Sequence, residues 1–195
     1  MIASLVERCV SFMAQRGAFP DTEEQREIYS YGMELQIYYI INTVLLLALG
    51  FLFGRFVEVA LFLFLFGLMQ SYGGGYHANT HGRCLAIMTC GVLLFLVLLP
   101  LYQGNMLLQA ISVLAGLATV ICLAPVAHKN HPLDPEKSKR MGKRAKLWAL
   151  LMAAVWGLLL LLTTAWATAA DVIAMTLAFT TLSMLAATVK KLSDG

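Results

Sequence analysis

Charge is scarce in this chain: 13% of its 195 residues are Asp, Glu, Lys or Arg, about half the share of an ordinary water-soluble domain. With 59% hydrophobic residues and a mean hydropathy of +0.75, that scarcity excludes a soluble globular domain. Cysteine is also sparse, and Cys9, Cys84, Cys90 and Cys122 form no CxxC pair, so no disulfide framework is expected. Glu7 and Arg8 interrupt the segment from Met1 to Arg16, which therefore lacks the apolar core of a cleavable signal peptide. No cluster of acidic residues borders an apolar stretch, which argues against a phospholipid head-group transferase using metal-phosphate chemistry. Internal repeats and low-complexity linkers are absent as well, so a single domain is expected.

Six long apolar stretches are present, from about Gln36 to Gly54, Phe56 to Met69, Leu85 to Leu101, Met106 to Pro125, Leu147 to Ala167 and Val172 to Val189. Spanning a bilayer as a helix takes about 20 apolar residues. The pattern predicts an all-α integral membrane protein with six transmembrane helices and an N-terminal amphipathic helix. Residues 1–35 should be amphipathic helices at the interface, residues 36–189 the six-span bundle, and residues 126–146 a basic cytoplasmic loop. Within the first segment Ile2, Leu5, Val6, Cys9, Val10, Phe12 and Met13 recur at near-helical spacing, and their face should lie on the membrane or pack under the bundle. Gly17 to Pro20 should end that helix, and Asp21 and Thr22 should cap a second from about Glu23.

Lys129, Lys137, Lys139, Arg140, Lys143, Arg144 and Lys146 crowd the connection between the fourth and fifth spans, and Lys190 and Lys191 follow the sixth. Cytoplasmic loops retain such an excess. Both termini and the segment around His77 are thus expected in the cytoplasm. Pro125, Pro132 and Pro135 should keep the basic connection partly extended, where it can contact anionic lipids or an acidic peptide. Membrane lipids are expected partners and nucleic acid is not. Ala115, Gly116 and Ala118 permit close helix packing, and a homodimer is compatible with the sequence without being required by it.

Between the second and third spans lies a polar, glycine-rich island, Gly73-Gly74-Gly75-Tyr76-His77-Ala78-Asn79-Thr80-His81-Gly82-Arg83-Cys84. Polar backbone facing hydrocarbon is costly, so such a segment lines a wet cavity or sits at the interface. A cysteine attacks as its thiolate, and a neighbouring imidazole can take the proton, so Cys84 with a histidine suggests nucleophilic catalysis. His81, three residues before Cys84, is adjacent to it on a helix. His77, seven before, lies on the same face but about 10.5 Å away along a straight helix and needs a bend near Asn79 to Gly82. On a straight helix His77, His81 and Cys84 would instead present three metal ligands. No Asp, Glu or HExxH pattern accompanies them. The residues alone leave thiol catalysis, metal ligation and a structural polar connection open.

The chain resembles the accessory gene regulator B (AgrB) family of membrane cysteine endopeptidases. Gly75, His77, Ala78 and Cys84 match its G-x-H-A-(five residues)-C arrangement, and Ala124-Pro125-Val126 and Asn130-His131-Pro132-Leu133 look like two further family segments. The resemblance implies Cys84 as nucleophile and His77, not His81, as its imidazole partner. It implies as substrate a short autoinducing pro-peptide of bacterial quorum sensing, whose C-terminal tail is released and whose signal segment is closed to a thiolactone or lactone. It implies a multi-pass protein of the bacterial cell membrane, and no cofactor or metal is called for. Where many members carry an arginine pair, this chain has Met69 and Gln70. Arg83 is a candidate replacement charge, or snorkels to lipid phosphates. Gly75, Gln70, Asn79 and Arg83 are the expected supporting or substrate-binding residues. Gln70, Asn79 and Thr80 could orient His77 or face an oxyanion, or serve as caps and loop hydrogen bonders. His128 and His131 are read as solvated or peptide-contacting.

Overall fold

The computed structural model describes residues 2–76, 80–126, 134–162 and 166–193. It is all-helical, as the apolar runs predict: α1 (Ile2–Gln15), α2 (Glu23–Leu52), α3 (Phe56–Gly73), α4 (His81–Tyr102), α5 (Met106–Leu123), α6 (Pro135–Leu161) and α7 (Ala167–Ser193). Helices α2 to α7 are long and apolar enough to cross a membrane. Two of them start well before their apolar stretches. Helix α2 begins at Glu23 and α6 at Pro135, because Glu, Gln, Lys and Arg are good helix formers and the hydrogen-bond ladder need not stop where hydrocarbon does.

The fold divides into two compact units, one ending at Leu46 and the other starting at Leu47. In the first, Val6, Val10 and Ala14 of α1 are buried with Phe19, and Met13, Met33 and Ile37 pack against them. The apolar face of α1 is therefore partnered by the first part of α2. Gly17, at φ 71°, turns the chain after α1. The Thr22 hydroxyl accepts from Gln25 N at 3.3 Å, which gives α2 the expected cap. The Arg26 guanidinium beside Asp21 holds that carboxyl below its ordinary range.

In the second unit α7 is the central helix. Every residue from Ala170 to Leu177 is buried, followed by Thr180 and Met184, and α3, α4, α5 and α6 all pack on it. A helix buried around its circumference is apolar around its circumference. Its neighbours bury single stripes at helical spacing: Val59, Phe62, Phe66, Met69 and Gly73 on α3, and Gly142, Ala145, Ala149 and Met152 on α6. Small residues let axes approach. A Cβ on Gly116 would lie 2.6 Å from that of Leu177, so this member of the small-residue set is used within the chain, against α7.

At one end of this unit sits a buried polar cluster. Gln109 Nε2 donates to Asp171 Oδ1 at 2.7 Å and to Tyr102 O at 3.0 Å, Trp156 Nε1 donates to Gln109 Oε1 at 2.9 Å, and the Tyr102 and Ser112 hydroxyls are 2.7 Å apart. Gln109 thus ties α4, α5, α6 and α7 together. Interhelical bonds in membranes are worth only about 0.6 kcal/mol each on average. Orphaning a buried carboxylate and an indole N–H costs more, about 1–3 kcal/mol per group. Gln109→Leu should accordingly destabilise the protein by about 2 kcal/mol or more, measured as a lower thermal unfolding midpoint in detergent; an unchanged midpoint would show that the cluster holds nothing together.

Candidate active site

The opposite end of α7 organises the polar island. Helix α3 ends at Gly73, and the next residue adopts φ 72°, ψ −177°, a region essentially reserved for glycine. Gly74 forms a parallel bridge with Val126, and Val126 N donates to Gly73 O at 2.9 Å. A Cβ on Gly74 would strike the Val126 carbonyl oxygen. Val126 follows the cis Ala124–Pro125 bond, and Gly142 of α6 lies so close to this turn that a Cβ there would be 2.9 Å from Pro125 Cδ. Two motif segments far apart in sequence are thereby joined edge to edge.

Gly75 passes directly over the Gln70 amide and Ser183. A Cβ on it would collide with Gln70 Oε1 and come within 2.6 Å of Ser183 Oγ. Ser183 Oγ accepts from Tyr76 N at 3.0 Å and from Gln70 Nε2 at 2.8 Å, so α7 holds both the loop and the end of α3. Gln70 is therefore a clamp between helices, and Met69 beside it is fully buried. Cations flank the loop: the Arg144 guanidinium lies 5.8 Å from the Tyr72 ring centroid and Lys190 Nζ 5.0 Å from that of Tyr76.

Thr80 is extended (φ −137°, ψ 148°) and caps α4, its hydroxyl accepting from Arg83 N at 3.3 Å while Cys84 N donates to Thr80 O at 3.0 Å. The helix carrying Cys84 consequently starts at His81. An unbroken helix entering from upstream, which three ligands on one face require, is ruled out by the extended backbone of Thr80. Cys84 is a free, half-buried thiol in the first turn of α4, at the positive end of its dipole. Arg83 is exposed. His77 and Asn79 lie outside the described residues, as do His128 and the segment 130–133. The basic connection is less extended than its prolines suggest: Pro135 opens α6 as its first residue, and Lys137, Lys139, Arg140, Lys143 and Arg144 are exposed on that helix while Gly142 and Ala145 face inward.

Sequence reasoning missed Ser183 and Gly74. Gly74 was signalled only as part of a glycine run. Ser183 carries no signal at all, being one hydroxyl in an apolar helix whose importance depends on a loop 107 residues away.

Comparison with known proteins identifies the family that the sequence resembles. The family model for accessory gene regulator B matches residues 6–187. Two relatives from Clostridium perfringens, a putative AgrB-like protein 2 of strain 13 and a putative AgrB-like protein of strain SM101, are each 28% identical over an alignment 131 residues long that covers 64% of this chain. The matched stretch covers 61% of the length of these curated relatives. No solved structure gives a significant match. With a family match running through all seven helices and both motif segments, the chain belongs to the accessory gene regulator B family.

Proposed function

We propose that the protein is a membrane-embedded cysteine endopeptidase and cyclisation catalyst acting on an autoinducing pro-peptide in quorum sensing. The observation that carries this reading is the placement of Cys84: a free thiol in the capped first turn of α4, next to a glycine loop fixed by Ser183 and Val126. Family membership supports it. In the first step His77 takes the thiol proton, Cys84 Sγ bonds to the scissile carbonyl carbon, and the C–N bond breaks as the proton passes to the leaving amine. The result is a thioester to the signal segment and a free C-terminal tail. A thiol within the bound peptide, losing its proton to His77, then attacks the thioester carbon. The bond to Cys84 breaks, its sulfur recovers the proton, and a thiolactone is released. Thioester exchange is close to balanced in energy, so exclusion of water decides between cyclisation and hydrolysis.

This reading puts the site at the cytoplasmic face of the bacterial membrane. The exposed lysines and arginines of α6, together with Lys190 and Lys191 in the last turn of α7, cluster at the end that holds Cys84, as cytoplasmic ends do. The same charges suit an acidic pro-peptide tail. Co-expression with the pro-peptide tests the assignment of the base: His77→Ala should reduce tail release by about 10²-fold or more, the usual worth of a general base, and His81→Ala should only weaken it. Equal losses would remove the distinction between the two imidazoles. Intact-mass detection of a hydroxylamine-sensitive peptide adduct on Cys84 tests the intermediate directly.

A further inference from the structure

One turn along α4 from Cys84 begins a cavity that the reaction as written does not use. It has a volume of about 220 Å³ and lies between α3, α4 and α7, open on one side past Ile87 and Leu182. On α4 its wall is formed by Ile87, Met88 and Gly91, which stand three, four and seven residues after Cys84 and so continue the thiol's own helical stripe. Phe62 and Phe66 of α3 and Phe179 of α7 close the far side, fixed by ring contacts of 5.5 and 5.3 Å from Phe62. Gln70 also lines it, its Nε2 bonded to Ser183 and its Oε1 buried against Gly75. Gly91 widens the wall: a Cβ built on it meets no atom within 4 Å.

We propose that this cavity is the specificity pocket of the peptidase, taking the large apolar side chain of the substrate residue whose carbonyl Cys84 attacks. The proposal rests on the reading of Cys84 as nucleophile. The volume is enough for one leucine- or phenylalanine-sized side chain. Met88 lies about 6 Å of helical rise from Cys84, so a residue held at the thiol reaches the cavity with its own side chain.

The test uses the full-length protein in liposomes and three reagents, the chloromethyl ketones of N-acetyl-alanine, N-acetyl-leucine and N-acetyl-phenylalanine. Each alkylates a thiol as sulfur bonds to the methylene carbon and chloride leaves. Rates at Cys84 are read by peptide mass spectrometry and normalised to those at Cys122, which is exposed and away from the cavity, to remove differences in membrane partitioning. The leucine and phenylalanine reagents should modify Cys84 at least ten-fold faster than the alanine reagent, since even one methylene in an apolar pocket is worth about 10–200-fold. Gly91→Leu, which fills the open wall, should bring the leucine and alanine rates within about two-fold of each other, and Gly91→Ala should give an intermediate ratio in a protein whose helix is, if anything, firmer. Equal wild-type rates for the three reagents at a reactive Cys84 would overturn the pocket and leave the nucleophile standing. A preference that survives both Gly91 substitutions would overturn it too, assigning the selectivity to some other surface near Cys84. A Cys84 no more reactive than Cys122 toward any of them would overturn pocket and nucleophile together.

Discussion

Cys84→Ala should abolish release of the pro-peptide tail, lowering it by at least ~10³-fold, and Cys84→Ser should do nearly the same. Removing a nucleophile eliminates the covalent route entirely, and what remains is catalysis by binding alone. A serine hydroxyl is a poor substitute, since it ionises far less readily than a thiol and a dyad has no third group to drive the base. The fold should tolerate both changes. The thiol is half-buried and makes no disulfide, so thermal stability should shift by no more than about 1 kcal/mol. Cys90→Ala provides the comparison, an exposed thiol two turns further along α4, and should release the tail at the normal rate. Co-expression with a short pro-peptide from the neighbouring coding region, followed by mass analysis of the peptide products, reads all three. Tail release by Cys84→Ala at a normal rate would end the nucleophilic reading.

Gly74→Ala should be the most damaging change outside the reacting groups. Two costs fall on one methyl. The backbone at φ 72°, ψ −177° is open to glycine and strained for any L side chain by about 1–3 kcal/mol. The methyl would also meet a carbonyl oxygen, that of Val126, which cannot rotate away as a side chain could. The loop must therefore part from the Val126 turn, moving the chain between α3 and α4. Displacements of about 1 Å at a catalytic group can cost 10²-fold, and a loss of about that size is expected in tail release, with a lower unfolding midpoint. Gly75→Ala should be milder, because the atoms its methyl meets are the ends of the Gln70 and Ser183 side chains, which can swing aside at the cost of two hydrogen bonds. If Gly74→Ala were as active as the wild type, the pairing with Val126 would have no part in positioning the site.

Much of this architecture was written in local patterns. Apolar length announced the six long helices, Gly17 and Thr22 marked the boundary between α1 and α2, and glycine with polar residues marked the break before Cys84. Hydropathy could not locate where α2 and α6 begin, since it reports the hydrocarbon layer while the helix is held by its own backbone. Nor could it identify α7 as the centre. That role depends on which helix the others surround, and the apolar runs of α4 and α5 look at least as buried on paper. Candidates for the site are legible where chemistry dictates residue type, at Cys84 and the histidines, and illegible where a side chain merely holds a loop. The bond from the Gln70 amide to Ser183, which clamps α3 to α7, is of this second kind.

The position of Ser183 has a bearing on how the protein is made. Helix α7 follows all its packing partners in chain order, yet the loop before Cys84 is held by a hydroxyl on it. Tyr76 and Ser183 are 107 residues apart, so at the usual ~5–20 residues/s of synthesis the island waits roughly 5–20 s for its anchor. During that interval Cys84 is already at the membrane while the loop before it lacks its anchor, and on the proposed reading the site is complete only when the central helix arrives.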